Sequence, residues 1–135
     1  MYRIKLEIEK KTYDLQSFYY SCYNSPPATG EGEYQTPANQ AMTWNVRASQ
    51  VDQELIEWCM EQVPILKAGK VTVYDADTNA PLKIVGFQGA YCSGFSESIE
   101  ANNDYNTNAP VSLSVTAEKI TVRLISSGSR IPSPN

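Results

Sequence analysis

Asp75, Asp77 and Asn79 carry oxygen ligands at alternate positions, which is how a calcium-binding loop of the EF-hand type begins. The pattern then departs from such a loop. Its sixth position is Ala80, where the sharp turn needs glycine, and its twelfth is Gly86, where the cation needs a bidentate glutamate. Because Asp and Asn are also ordinary residues of tight turns, the segment predicts a hairpin turn and no metal site.

Catalytic side chains are scarce in the chain, which contains no histidine. This excludes Ser-His-Asp and Cys-His nucleophile pairs and every imidazole metal site. A pair of carboxylates could still hydrolyse glycosides. The acidic residues, however, fall mainly in the polar phase of predicted strands and on the outer face of a predicted helix, where solvated charge is the ordinary outcome. The sequence therefore favours a protein that is not an enzyme and has no cofactor.

Aromatic side chains offer a possible stacking platform, since three of the nine tyrosines, Tyr19, Tyr20 and Tyr23, lie close together. Stacking on bases is disfavoured by the net charge of −4 and the pI near 4.8, which also disfavour anionic membrane surfaces. Tyrosine is equally typical of half-buried strands and of protein interfaces. We expect core and interface roles, with no nucleic acid partner and no membrane insertion.

The cysteines Cys22, Cys59 and Cys92 are odd in number, far apart and without a Cys-x-x-Cys pair. This pattern argues against a disulfide framework or a zinc site and favours buried thiols. The N-terminal residues alternate charge with apolar side chains and lack the apolar stretch of a signal peptide. We therefore expect synthesis and assembly in the cytoplasm.

Hydrophobic periodicity predicts a single, mainly β domain over residues 1–125, followed by a flexible tail over 126–135. A helical period runs from Val51 to Val63, with Ser49 as its cap. A shift of apolar phase between Ala117 and Ile120 predicts a bulge or bend in the last strand. The strands are predicted at 2–9, 12–23, 42–49, 70–74, 82–93 and 111–124, with long loops at 24–40 and 102–110.

The order of these strands, loops and helix resembles the Hcp family of type VI secretion tube proteins. Several short sequence segments are similar to the TssD branch of Bacteroidetes. The similar segments are 13–18, 55–58, 69–75, 81–92, 98–99 and 113–120. The resemblance implies a small β-barrel of two packed antiparallel sheets with one flanking α-helix. It further implies hexameric rings that stack into a hollow tube, which sheath contraction expels.

Partners implied by the resemblance are further copies of the chain, the sheath, baseplate or spike proteins, and effectors carried in the lumen. The family usually has a basic residue in the long loop, whereas this chain is acidic there. We expect this segment to contact the next ring; it consists of Thr29, Gly30, Glu31, Gly32, Glu33 and Tyr34. The alternatives are a phage-like or extracellular injection tail tube and a small-ligand binding barrel.

Overall fold

The computed structural model describes residues 1–22, 40–101 and 110–125. Alternation of polar and apolar side chains makes most of these residues strands, and one helix interrupts them. The elements are β1 (Tyr2–Ile8), β2 (Lys11–Ser21), β3 (Gln40–Arg47), a 3₁₀ turn (Ala48–Gln50), α1 (Gln53–Cys59), β4 (Lys67–Asp75), β5 (Pro81–Glu97), β6 (Pro110–Ala117) and β7 (Lys119–Leu124).

The strands are joined in the order β4-β1-β2-β3-β6-β5-β7, and an additional pairing of β4 with β5 closes a barrel. All pairings are antiparallel. The long strands β2 and β5 cross from one side of the barrel to the other. Register shifts between Leu15 and Ser17 and between Cys92 and Gly94 mark bends in these two strands. The predicted mainly β barrel of two packed sheets with one flanking helix is confirmed.

The predicted bend in the last strand lies at Glu118, between β6 and β7. Both of these strands pair with β5, so they form one partner strand with a kink. Opposite the kink, Gly89 has φ +62°, a conformation that glycine adopts without steric cost. The Glu118 amide donates to the carbonyl oxygens of Gln88 at 3.1 Å and Gly89 at 3.2 Å. The shift of apolar phase in the sequence therefore reports this kink.

The barrel interior is filled by side chains that alternate along the strands. Each buried Val, Leu, Ile, Phe or Met contributes about 1.5–3 kcal/mol relative to full exposure. The largest fully buried side chains are Trp44, Leu6, Met42, Leu113, Val46, Val71, Val85, Val111 and Val115. The core is therefore packed across both layers of the barrel.

Helix α1 is shorter than predicted and has a different cap. Ser49 lies in the 3₁₀ turn, and Val51 is extended, so the helix begins only at Gln53. Asp52 is the N-cap, and its Oδ1 accepts a hydrogen bond from the Leu55 amide at 2.9 Å. The helix ends at Cys59, which leaves Val63 outside it and 76% exposed. The sequence predicted a longer helix because apolar residues continue at helical spacing after Cys59. In the structure, Val63 is exposed and lies outside the helix.

Strand boundaries also differ from the prediction, since β5 extends to Glu97 and β2 ends at Ser21. The hairpin turn at 76–80 is confirmed: the Asp75 carboxylate accepts from the amides of Asp77 at 2.8 Å and Thr78 at 3.2 Å. No group of acidic or cysteine side chains that could hold a metal ion occurs among residues 1–22, 40–101 and 110–125. In the same ranges, no helix has the length and apolarity to cross a membrane.

The prediction of three buried thiols is wrong in part. Cys22 is exposed at the end of β2, while Cys59 and Cys92 are half-buried against the core. Cys22 follows the last outward residue of a strand that ends earlier than predicted, so the core no longer covers it. The predicted loops at 24–40 and 102–110 lie almost wholly outside the described residues, and the tail at 126–135 does so entirely.

Candidate assembly surface

A polar cluster fixes α1 to the β1–β2 hairpin. Lys11 Nζ lies 2.9 Å from both Asp52 Oδ2 and Glu54 Oε1, and the Tyr13 hydroxyl donates to Asp52 at 3.1 Å. Burial disfavours the charge on Asp52, but hydrogen bonds from Lys11, the Leu55 amide and Tyr13 outweigh it. The pKa of Asp52 therefore lies below its ordinary value. The same carboxylate thus caps the helix and anchors it.

The Asp52 carboxylate raises the pKa values of Tyr13 and Lys11. Burial and the hydrogen bond to Asp52 raise the pKa of Tyr13 to about 12. Hydrogen bonds to Asp52 and Glu54 raise the pKa of Lys11 above its ordinary value. At neutral pH the cluster therefore holds an ionised Asp52 between a neutral phenol and an ammonium group.

Trp58 anchors the other face of the helix. Its Nε1 donates to the carbonyl oxygen of Ile65 at 2.7 Å, which ties α1 to the segment that leads into β4. Lys67 Nζ lies 5.8 Å from the Trp58 ring and 3.1 Å from Glu9 Oε1. The space between the helix and the hairpin amounts to about 10 Å³, which holds no more than about one water. The helix therefore packs closely on the hairpin, and the space between them is too small for a ligand.

One layer of the barrel presents an outer surface formed mainly of uncharged polar side chains, which we call the polar face. It is formed by the second half of β2, by β3, by β6 and by the second half of β5. The inward side chains of β3 and β6 are buried, and those of β2 and β5 are partly buried. Its outward side chains form cross-strand rows in register, such as Ser17–Asn45–Ser112–Ser96 and Tyr19–Thr43–Ser114. The uncharged members are Ser17, Tyr19, Ser21, Ala41, Thr43, Asn45, Tyr91, Ser93, Ser96, Ser112, Ser114 and Thr116. Arg47, at the end of β3, is a charged residue with the same outward phase.

Hydroxyl and amide groups bond to one another across the polar face. Asn45 Nδ2 donates to Ser17 Oγ at 2.7 Å, which links β3 to β2. Ser93 Oγ donates to the carbonyl oxygen of Ser114 at 3.1 Å, and Thr116 Oγ1 donates to Ser93 Oγ at 3.2 Å. These bonds link β5 to β6. The surface is therefore hydrophilic and ordered without any ion pair between its own side chains.

The polar face is bounded by two strands with unpaired edges. β1 pairs with β2 only as far as Leu15, and β4 pairs with β5 only as far as Ala90. Within the described part of the chain, residues 17–21 of β2 and 91–96 of β5 therefore lack a strand partner on their outer side. Such edges present free backbone N–H and C=O groups to another chain. The unpaired edge segments lie on opposite sides of the polar face.

The opposite layer of the barrel is charged. Arg3, Lys5 and Glu7 point outward from β1, and Lys5 Nζ lies 3.8 Å from Asp14 Oδ1. Lys119, Thr121 and Arg123 are exposed on β7, which stands at the end of the strand order. The outer surfaces of the two layers thus differ in charge, although both layers bury apolar side chains on their inner side.

Comparison with known proteins identifies the family to which this barrel belongs. The family described as hemolysin coregulated protein Hcp (TssD) matches residues 1–127. The chain belongs to the Hcp family. Its role is therefore that of a structural tube subunit of a secretion system, and the predicted resemblance is confirmed.

Solved structures share the Hcp barrel at low sequence identity. Hcp1 from Flavobacterium johnsoniae is 24% identical with a TM-score of 0.67, over 89% of this chain and 94% of that one. Hcp1 from Salmonella typhimurium is 12% identical with a TM-score of 0.70, over 94% of this chain and 89% of that one. No curated protein sequence matches the chain significantly.

The fold also extends to contractile injection systems outside the Hcp proteins. A chain from the sheath-tube complex of the PVC extracellular contractile injection system, in its extended state, is 13% identical with a TM-score of 0.63. The similarity covers 91% of this chain and 89% of that one. At this identity the likeness establishes a common barrel.

The ring-stacking segment predicted for this Hcp protein, Thr29 to Tyr34, lies outside the described residues and stays a prediction. The polar face was missed by sequence reasoning, although its signal is present in the alternation of Ser112, Ser114 and Thr116 with buried Val and Leu. The alternation predicted a strand with one wet face. It could not indicate that the wet faces of four strands lie side by side.

Proposed function

We propose that copies of this chain close into a hexameric ring by pairing the free edge of β5 with the free edge of β2 in the next copy. The observation that carries the proposal is the four-stranded polar face with an unpaired edge on each side. In the order β2-β3-β6-β5 every neighbour is antiparallel, so β5 runs opposite to β2. A neighbouring copy related by rotation about a ring axis would thus add its β2 to β5 as an antiparallel strand.

Pairing of this kind is heterologous, because one side of the subunit contacts the other side of its neighbour. Repeated heterologous contacts either close into rings or grow into filaments. Edge-to-edge pairing satisfies the exposed backbone groups and removes the edges that would otherwise promote aggregation. A specific boundary needs at least about 1,000 Å² of buried surface, to which side chains beside the edges would also contribute.

The polar face is proposed to line the lumen of the ring. A wall of hydroxyl and amide groups, with Arg47 only at the end of β3, offers little electrostatic attraction to either acidic or basic cargo, so proteins of either sign could pass. The charged layer would then face outward, where contacts with a sheath form. The packed interior supports an assembly function over the alternative of a small-ligand binding barrel, since core side chains occupy the space such a ligand would need.

Rings are proposed to stack through residues 29–34 into a tube of a type VI secretion system. Sheath contraction would expel this tube, together with effectors in its lumen. Family membership supports the type VI assignment. The likeness to the PVC sheath-tube chain supports contact with a sheath and equally supports the second candidate, a tail tube of an extracellular injection system. Neighbouring genes for a membrane complex would favour the type VI system.

Charge introduced on the two edge strands tests the proposed boundary. Tyr19 and Ser96 are both exposed on the polar face, one on each unpaired strand. The double variant Tyr19→Lys with Ser96→Lys places like charges where neighbouring copies meet, and we expect loss of rings with an unchanged circular dichroism spectrum. Thr12→Lys is the matched control, because Thr12 is exposed but lies where β2 already pairs with β1. Rings that survive the double variant would place the boundary elsewhere.

A further inference from the structure

A cleft opens at the corner of the barrel where β1 and β2 separate. β1 pairs with β2 only as far as Ile4, opposite Leu15, whereas the start of β1 remains paired with β4. β2 bends away at this point and continues into the polar face. The cleft, which we call the wedge, has a volume of about 480 Å³. Its lining residues include Tyr2, Arg3, Ile4, Asp14, Leu15 and Arg47.

The wedge carries an excess of positive charge. Arg3 donates a hydrogen bond to the side-chain oxygen of Asn79, which is an uncharged group. Arg47 is exposed at the end of β3. Neither arginine forms an ion pair with a carboxylate among the described residues. The Asp14 carboxylate lies 3.8 Å from Lys5, outside the wedge. The wedge therefore favours an acidic partner.

The end of β5 lies level with the wedge, on the opposite side of the polar face. One cross-strand row runs from β5 to β2 through the register pairs Glu97–Val111, Val111–Val46 and Val46–Leu15. Rotation about a ring axis preserves this level apart from the stagger that tilted strands introduce. In the proposed ring, the end of β5 in one copy therefore faces the wedge of the next copy.

Residues 97–100, at the end of β5, complement the wedge in charge and polarity. Glu97 and Glu100 are exposed acidic residues on either side of Ile99, whose side chain is 67% exposed. Tyr2 in the wedge is 66% exposed and offers an apolar ring to such a side chain. An acidic segment with one apolar residue thus meets a basic cleft with an exposed aromatic ring.

We propose that the wedge binds residues 97–100 of the neighbouring copy in the ring. Ile99 packs on Tyr2 of the next copy, and the flanking carboxylates form ion pairs with the two arginines of the wedge. The contact rests on the proposed ring closure and adds side-chain recognition to the backbone pairing. Two free strand edges can pair in more than one register, so this contact fixes the register across the boundary.

Two variants that each reverse the charge on one side of the contact provide the test. Arg47→Glu makes the wedge acidic, and Glu97→Arg with Glu100→Arg makes the end of β5 basic. Each variant alone should need at least about tenfold more protein than the parent to form rings, because like charges then meet at every boundary. Mixed in equal amounts, the two variants should form rings with three copies of each in alternation. Native mass spectrometry counts the copies.

Arg123→Glu is the matched control, because Arg123 is exposed on β7 and does not line the wedge. It should form rings as the parent does. Single variants that form rings at the parent's concentration would overturn the contact and leave ring closure intact. Variants that lose rings and do not recover on mixing would also overturn it, as would variants that keep rings but lose stacking. A parent chain without rings would overturn both ring closure and this contact.

A cross-link between copies gives a second measurement that leaves the charges unchanged. Tyr2→Cys and Ile99→Cys in one chain, with Cys22→Ser to remove the exposed native thiol, should join neighbouring copies when rings are treated with a mild thiol oxidant. Denaturing electrophoresis should then show bands of up to six subunits that reduction removes. Either substitution alone should give no band above a dimer. A chain that forms rings but stays monomeric under this treatment would contradict the contact.

Discussion

The indole rings of Trp44 and Trp58 stack with their centroids 6.0 Å apart and 21° between their planes. Trp44 is fully buried in the barrel, and Trp58 is the inward anchor of α1. This contact joins the helix to the core, and the hydrogen bond from Trp58 to Ile65 joins it to the segment before β4. The helix therefore belongs to the same folding unit as the barrel.

Trp58→Ala should remove the stacking, the hydrogen bond and much of the packing of α1. Replacement of a buried aromatic residue by alanine costs about 3–5 kcal/mol in the free energy of unfolding. Trp58→Phe should retain a stacked ring but lose the hydrogen bond to Ile65, so its cost should be intermediate. Urea denaturation followed by circular dichroism measures both. Equal stability of Trp58→Ala and the parent chain would show that the helix is not anchored in this way.

Asp52 should make stability fall at acid pH. Its pKa is lower in the folded state, so its contribution is present above the unfolded value of about 4 and is lost as pH falls through the folded value. Asp52→Asn keeps a capping side chain but has no carboxylate to titrate, so its stability should vary less with pH over this range. Asp52→Ala should in addition lose the cap, at about 1 kcal/mol. Denaturation midpoints at several acid pH values give the comparison, and parallel curves for Asp52→Asn and the parent would refute it.

Tyr13 should make stability fall at alkaline pH. Its pKa rises to about 12 in the folded state, so the stabilisation of the neutral phenol is complete below the unfolded value of about 10. It is lost as pH rises through the folded value. Tyr13→Phe has no ionisable group and should remove this part of the alkaline dependence. Tyrosinate absorbance during a pH titration checks the ionisation itself. A Tyr13 that ionises together with the exposed tyrosines would contradict the prediction.

Gly69 of β4 lies close against the backbone of β1. A Cβ added to Gly69 would collide with the carbonyl oxygen of Glu7 and lie 2.8 Å from Phe87 Cζ. Gly69→Ala should therefore force the two strands apart and cost roughly 1–3 kcal/mol or more. Gly94→Ala is the matched control, because its Cβ would lie 3.4 Å from Ser114 Cβ in ordinary contact. Thermal unfolding should separate the two variants, and equal melting temperatures would contradict the steric argument.

The sequence predicted those elements whose signal lies within one strand or turn. Period-two alternation located β1, β3 and β6, and the phase shift before Ile120 located the kink opposite Gly89. The cap of α1 was assigned to Ser49 because a capping residue is recognised only by type. The structure selects Asp52, which Tyr13 and Lys11 can reach from the hairpin.

Features formed by distant parts of the chain could not be predicted. The stacking of Trp58 on Trp44 requires knowing that α1 packs against the core of the barrel. The polar face requires the order of β2, β3, β6 and β5 in the sheet. An alternating pattern predicts which side chains of a strand are wet and leaves open which strands are neighbours.

The central claim is that the subunit closes into rings through the edges of its polar face. Negative-stain electron microscopy of the full chain at high protein concentration, together with native mass spectrometry of the same sample, tests it most directly. The proposal predicts annular particles with a central hole and a mass of six subunits. A strict monomer at every protein and salt concentration would contradict it.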